Sequence, residues 1–274
     1  IDRSEHAALL ERAPLDIRVN SRKADRETVA AMMPDAVATP HVPHGLRLLE
    51  GSAVESTQPW LDGLIEIQDE GSQLIALAAR ARPGMTVLDL CAGAGGKTLA
   101  LADAMAGEGR LIASDTNRAR LSRLAPRAER VDAGFIEARL LDPGRELAAL
   151  ADLEGGCDVV LVDAPCSGTG TWRRNPEARW RLNPDRLGKL AETQARLFDI
   201  AAALVRPGGA LVYAVCSLLE EEGAGQAAAF LARTADFTPD RDIFTPGRYL
   251  GPGKLLSPAH DGTDGFFVAR FHRA

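Results

Sequence analysis

Missing from this chain is any run close to the roughly 18 uninterrupted apolar residues that a membrane helix needs. No signal-like apolar segment follows Ile1 either. A cytoplasmic protein with no membrane partner is therefore expected. Cysteine is scarce: four occur, at 91, 157, 166 and 216, none in a CxxC pair and none with a histidine close in sequence. That pattern argues against zinc or any other metal centre, and for free thiols in a reducing compartment. An excess of positive charge is also lacking, since 32 Lys and Arg against 38 Asp and Glu leave a formal net charge of −6. The total disfavours a polyanionic partner, so a case for one must rest on local charge. There is no internal repeat and no low-complexity tail. Nor is there an initiator methionine, which fits a fragment whose own amino terminus, and a further domain, lie outside it.

What is present is an ordinary globular composition over 274 residues, 46% hydrophobic and 26% charged. That length suits one large domain, or one domain with a small appendage. From residue 84 onward, apolar runs of strand length alternate with helical patterns. The runs are Met85–Leu90, Arg110–Ser114, Phe135–Leu141, Asp158–Val162, Ala210–Val215 and Phe266–Phe271. Helical periodicity covers about 96–106, 117–130, 185–205 and 220–233, with Asn117 and Asn183 or Asp185 placed as caps. One more amphipathic helix is expected over 69–81. Such alternation implies a mostly parallel sheet covered by helices on both faces. Before residue 62 the pattern weakens to a strand at DIRVN, a helix at DRETVAAMM and a strand at GLRLLE, a small α/β appendage.

Chemistry concentrates where strands end. In VLDLCAGAGGKT (residues 87–98) a strand gives way to a helix through Gly93, Gly95 and Gly96, which let the backbone turn tightly and approach a ligand. A tight turn without a ligand would look the same. The spacing does not match the G-x-G-x-x-G of a dinucleotide oxidoreductase. Asp115, Asp142 and Asp163 follow the second, third and fourth strands. A carboxylate at the second strand can accept both hydroxyls of a ribose. Three such acids suit a ligand with a ribose, an adenine amine and a cation, and S-adenosylmethionine (SAM) has all three.

The thiols differ among themselves. A free cysteine is usually a small buried hydrophobe, and Cys157, at a strand start, reads that way, with Cys91 more evenly balanced. Cys166 in VVLVDAPCSGTG and Cys216 in ALVYAVCSLLEEE each follow a strand and precede a serine. If their strands share one sheet, both thiols reach the crevice of the glycine turn. Reactivity requires thiolate character in a polar, partly exposed place, and the strand-to-helix junction at Cys216 favours an anion. Glu220, Glu221 and Glu222 read as surface acids matched to the dipole of the helix they begin.

Together these segments resemble the Sun/NSUN-type (Fmu-like) RNA cytosine-5 methyltransferases. The resemblance runs from about Asp16 to Phe271 and rests on RVNSRKADRE, QDEGSQL, DLCAGAGGKT, DAPCSGTG, YAVCSLLEEE and DGFF. Ala94 stands where the family usually has proline, Val215 where it usually has threonine, and the loop after Asp142 is a loose match. The fold implied is a Rossmann-like class I SAM-dependent methyltransferase. It comprises a mostly parallel seven-stranded sheet over 63–274 and a small N-terminal α/β RNA-binding subdomain over 1–62. The activity implied is SAM-dependent cytosine-5 methylation of RNA, ribosomal (16S) first and transfer RNA second, by a monomer. A non-catalytic RNA-binding assembly factor on the same scaffold is the rival reading. The resemblance makes Cys216 the nucleophile toward cytosine carbon 6, Cys166 the group assisting product release, and Asp163 the partner of the base edge. Cys91, Ala92, Gly93, Ala94, Gly95, Gly96 and Lys97 would cradle the methionine and ribose of SAM, Asp115 the ribose hydroxyls and Asp142 the adenine, with Asp163 bordering the cofactor.

RNA contact needs local cations. WRRNPEARWRLNPDRLGK supplies Arg173, Arg174, Arg179, Arg181, Arg186 and Lys189 against Glu177 and Asp185, a local charge of about +4. Contact by Arg173, Arg174 and Arg179 is expected. Trp172 and Trp180 alternate with them, either stacking on bases or packing on the sheet. Arg18, Arg22, Lys23 and Arg26 of the appendage would extend the footprint.

Overall fold

The computed structural model describes residues 3–49 and 51–274. Glu50, the last residue of the expected GLRLLE strand, lies outside them. The amino-terminal region is a four-stranded antiparallel sheet of β1 (Leu15–Val19), β2 (Val37–Ala38), β3 (Gly45–Leu48) and β4 (Ile65–Ile67), in the order β2-β3-β1-β4. Ile17, Val19, Leu46 and Ile65 fill its core with Val29. Val29 belongs to the helix Arg26–Met32, which Asp25 caps by accepting the Thr28 N–H. The sheet extends past the expected boundary at residue 62, because β4 pairs with β1 from Ile17↔Ile67 to Val19↔Ile65. It is also bolted to the rest of the protein. Glu66 of β4 is buried against Arg127 and Arg130, and the Asn20 side chain donates to the Val131 carbonyl.

The main sheet has nine strands: β5 (Thr86–Asp89), β6 (Arg110–Asp115), β7 (Glu137–Leu140), β8 (Cys157–Asp163), β9 (Val205–Val215), β10 (Phe237–Asp240), β11 (Arg248–Leu250), β12 (Gly253–Leu256) and β13 (Phe266–Arg273). Their order is β11-β12-β13-β9-β8-β5-β6-β7, with β10 beside the far half of β13. The five strands from β7 to β9 are parallel, and β13 runs antiparallel to β9. The hairpin β11–β12 explains the excess over seven. After β5 the chain lays β6 and β7 to one side, then crosses back to lay β8 and β9 on the other. Such a reversal opens a crevice at the carboxyl ends of the strands, where open α/β sheets bind ligands.

Two apolar layers flank the sheet. On one face the helix Pro184–Leu204 buries Leu197, Phe198, Ile200, Ala201 and Leu204, a helical spacing, with Asn183 capping through the Arg186 N–H. Phe198 stacks on Tyr213 of β9 with ring centroids 4.2 Å apart. The helix expected over 117–130 is two, Arg118–Leu121 and Leu124–Arg130. Pro126 accounts for the break, since it lacks an N–H and its ring crowds the carbonyl four residues back, at Ser122. The helix expected from 220 begins at Ala224.

Candidate active site

The glycine turn hangs on Asp89, the last residue of β5. Its Oδ2 accepts the Thr98 hydroxyl at 2.7 Å, while Oδ1 is buried and has no protein partner. Burial, opposed in part by Thr98 and reinforced by Asp163, pushes this carboxyl up to about 7. Gly95 opens the helix Gly96–Ala104 in a left-handed conformation (φ 87°), and a Cβ there would lie 2.3 Å from Leu124 Cδ1. Only glycine meets both demands. Asp115, at the end of β6, is buried, with Oδ2 accepting the Gly93 N–H at 2.8 Å and Oδ1 the Asn117 N–H at 2.6 Å. It braces the turn from behind.

In front of the turn is a cleft of about 210 Å³ lined by Ser72, Asp89, Cys91, Ala92, Ala94, Gly96, Lys97, Arg120 and Asp163. Lys97 Nζ donates to Asp163 Oδ2 at 2.7 Å. Burial draws the ammonium pKa down, but the Asp163 charge and hydrogen bond outweigh it and the net shift is upward. The Cys91 thiol is driven well above its ordinary value, chiefly by burial and then by Asp89 and Asp115. Asp142, expected at the adenine, is exposed beyond β7 and does not line the cleft. Three lining residues carried no role in the sequence reading: Asp89, Ser72 and Arg120. Asp89 and Ser72 lay inside the quoted segments DLCAGAGGKT and QDEGSQL, and Arg120 had no signal at all.

The thiols meet beside this cleft. β8 and β9 are adjacent and parallel with Asp163 opposite Ala214, so the residues just past their ends emerge together. Cys166 Sγ and Cys216 Sγ are 3.3 Å apart, and both cysteines are free. The hydrogen bond to Cys216, then burial, then the charge on Cys216 hold the Cys166 thiol well above its ordinary pKa. Cys157 is fully buried at the start of β8, and burial pushes its thiol up to about 12. Three loops close over the pair. The Gly170 N–H donates to the Cys216 carbonyl at 3.1 Å, and the Gly265 N–H to the Gly170 carbonyl at 2.8 Å. A Cβ on Gly170 would sit 2.0 Å from the Gly265 oxygen, so this backbone contact excludes any larger residue.

Glu222 corrects the sequence reading. It is fully buried, not a surface acid, and accepts from the Ser167 N–H at 2.8 Å, the Ser167 hydroxyl and Gln194 Nε2 at 3.1 Å. Ahead of the helix, the chain folds back and carries it beneath the loop of Cys166.

The basic segment is corrected as well. The Arg173 side chain is only 6% exposed; its Nε donates to Asp264 Oδ1 at 2.8 Å, and Asp69 is close by. Arg174 pairs with the same two acids and stays partly open. Arg173 is thus committed to the interior, because two buried carboxylates require compensation. Burial and the neighbouring Asp264 push Asp69 up to about 6, even though Arg174 opposes them. Asp69 also caps the helix Glu70–Ala78 through the Gly71 and Ser72 amides, which ties QDEGSQL, the thiol loop and DGFF together. Arg179 lies 5.8 Å from the Trp180 ring, and Trp180 is 82% exposed. Trp172 is half-buried with its indole N–H enclosed. In the amino-terminal region, Arg18 is buried against Asp103 and Gln68, and Lys23 pairs with Asp132. They fix the small sheet in place instead of extending a basic surface.

Among the described residues no cluster of His, Cys, Asp and Glu has the arrangement of a metal site, and no helix is long and apolar enough to cross a membrane.

Comparison with known proteins places these features. A family model described as 16S rRNA methyltransferase RsmB/F matches residues 75–272. A ribosomal RNA small subunit methyltransferase B of Xylella fastidiosa is 37% identical over 270 residues, covering 96% of this chain and 62% of that relative. The chain thus spans about 62% of the length of that curated relative. Among solved structures, a methyltransferase homolog protein from Pyrococcus horikoshii is 26% identical with a TM-score of 0.85, over 99% of this chain and 90% of that one. NSun6 from the same organism, solved with SFG, shares the fold at TM-score 0.86 and 18% identity, over 98% and 93% of the two chains.

Proposed function

The chain belongs to the 16S rRNA methyltransferase RsmB/F family, and from that premise we propose that it methylates carbon 5 of cytosine in 16S ribosomal RNA, using SAM and a covalent cysteine–cytosine intermediate. The main sheet is that of a class I SAM-dependent methyltransferase. The observation that carries the proposal is the 3.3 Å approach of Cys166 and Cys216 beside the cleft containing Asp163.

The cleft fits SAM by its chemistry. Asp89 offers a buried carboxylate oxygen without a protein partner, Asp163 a second acid, and the glycine turn a backbone open to a ligand. When bound there, SAM supplies an electrophilic methyl group. Cys91, Ala92, Ala94, Gly96 and Lys97 would hold it, with Gly93, Gly95 and Asp115 shaping the turn from behind. Ribose contact by Asp115 requires lone pairs beyond those the Gly93 and Asn117 amides use. Asp142 would touch the adenine from outside the present cleft.

Carbon 5 of cytosine is a weak nucleophile. Addition of the Cys216 thiolate to carbon 6 makes carbon 5 enamine-like, dividing one hard step into easier ones. The Lys97–Asp163 pair offers an acceptor for the exocyclic amine and a positive charge against the electron density moved toward the ring nitrogen. Cys166, kept protonated, donates to the Cys216 sulfur and steadies its negative charge. After transfer, water takes the carbon 5 proton, and the pair of that C–H bond re-forms the carbon 5–carbon 6 double bond. Cys216 leaves with the pair of the C–S bond as a thiolate that the Cys166 thiol steadies, which is how Cys166 assists release.

The base must leave its stack, at a cost of a few kcal/mol. In the basic segment Arg174, Trp180, Arg181, Arg186 and Lys189 are exposed and Arg179 is half-buried, and a cavity of about 430 Å³ whose lining includes Arg12, Ser52, Arg173 and Arg174 lies between Arg174 and the small sheet. That subdomain, residues 1–62 together with β4, would meet RNA in this reading through the cavity wall at Arg12 and Ser52 and not through Arg18 or Lys23, on a cytoplasmic monomer. The test is a denaturing gel with radiolabelled RNA. Cys166→Ala should accumulate a slow-migrating protein–RNA adduct, and Cys216→Ala should form none. An adduct with Cys216→Ala instead reverses the two roles. Methyl transfer to transfer RNA and not to 16S rRNA would favour the other substrate.

A further inference from the structure

We propose that Glu222 is a positioning residue that sets the spacing of the two thiols. The inference rests on the reading of Cys166 and Cys216 as the reacting pair. Glu222 is fully buried, and all its carboxylate partners among the described residues are neutral: the Ser167 amide, the Ser167 hydroxyl and the Gln194 amide. A buried carboxylate without a cation is costly, and an apolar residue of similar size would usually be cheaper. Its presence calls for a task that packing does not perform.

The contacts define that task. Glu222 lies on the chain that follows Cys216, yet its carboxylate grips Ser167, the residue after Cys166. Gln194 bonds the same carboxylate and also the Pro165 carbonyl at 3.0 Å. Cys166 is thereby held on both flanks. A hydroxyl bridge completes the frame: Ser167 and Ser217 oxygens are 3.2 Å apart, Thr169 and Ser217 oxygens 3.0 Å, and Thr169 Oγ1 accepts the Leu218 N–H at 2.9 Å. Tyr213 fixes the backbone by donating to the Glu222 carbonyl at 2.6 Å. Glu222 is thus the charged member of the set of polar links by which the Cys216 loop holds the Cys166 loop. Its charge also helps, after the Cys216 contacts and burial, to keep Cys166 protonated.

Disulfide formation between the two thiols measures their spacing without RNA. With diamide, Cys166 and Cys216 give up two protons and two electrons to the azo bond, forming one S–S bond and a hydrazine. Glu222→Ala should slow this closure roughly tenfold, as expected when two reacting groups lose fixed orientation. Glu222→Gln, which keeps the size and some of the bonds, should fall between. Alkylation by iodoacetamide should not slow in parallel, and SAM affinity by calorimetry should stay within about twofold. In methyl transfer, kcat should drop while KM for RNA holds. If Glu222→Ala does not fold, Ser167→Ala removes the hydroxyl arm of the same link while the Ser167 amide and Gln194 stay on the carboxylate, and the same measurements should show a smaller slowing of closure. Unchanged closure in a variant that binds SAM overturns the proposal. Absence of any adduct in Cys166→Ala would instead sink the reading of the thiols while leaving the spacing result standing.

Discussion

The cofactor cleft and the thiol pair adjoin at the carboxyl ends of central strands but are built differently. The cleft is mostly local: β5, the glycine turn and the first helix turn supply Asp89, Cys91, Ala92, Ala94, Gly96 and Lys97 from one short stretch. The thiol pair is assembled. Cys166 and Cys216 follow separate strands, and six further residues hold them: Thr169 and Gly170 on the Cys166 loop, Ser217 and Glu222 on the Cys216 loop, and Gln194 and Gly265 from two other segments. A local site tolerates distant change, whereas an assembled one depends on every loop that closes on it.

The largest test of this contrast is Arg173→Ala. It leaves Asp264, and in part Asp69, buried with less compensation, and should cost about 3–5 kcal/mol of stability in urea unfolding, the range for breaking a buried ion pair. A loss below about 1 kcal/mol would mean that the three loops are not held through this cluster.

Next in size is the pH dependence contributed by Asp89. Folded, it keeps its proton up to about 7, whereas unfolded it loses it near 4. The unfolded state holds fewer protons across that window, so this group's contribution to stability is present below pH 4 and is lost as pH rises toward 7. The loss should reach a few kcal/mol. Asp89→Asn should remove it, so the difference between parent and variant should change across pH 4–7. A constant difference would show an Asp89 with an ordinary pKa. Asp69, raised to about 6, adds a similar trend that both proteins share.

Asp115→Ala sharpens the contrast. It unties the Gly93 and Asn117 amides and should weaken SAM binding by about 1.5–3 kcal/mol. Disulfide closure of the thiols should be unaffected. Full SAM affinity in calorimetry would remove Asp115 from the cofactor site.

The smallest effect belongs to Arg179, outside both sites. Arg179→Ala should lower RNA affinity slightly and reduce the slope of log K against log salt by about 1, as expected for one phosphate contact. An unchanged slope would place RNA elsewhere.

The sequence by itself determined the β-α alternation, the glycine turn and the strand-end positions of the two cysteines, whose convergence waited on β8 and β9 being neighbours in the sheet. The alternation, the turn and the strand ends follow from local rules. A period of two or of 3.6 residues and a glycine where φ must be positive together fix where strands end. It did not determine which charges turn inward. Glu222 looks like its exposed neighbours Glu220 and Glu221, and Arg173 like Arg174, because a loop has no periodicity to say which side faces in. Asp89 was visible in its motif, but its unpartnered oxygen was not. β4 joined the small sheet through pairing with a strand far back in the chain. Only tertiary packing decided these, because a buried charge is set by the partners that other segments bring to it, and those partners are distant in sequence.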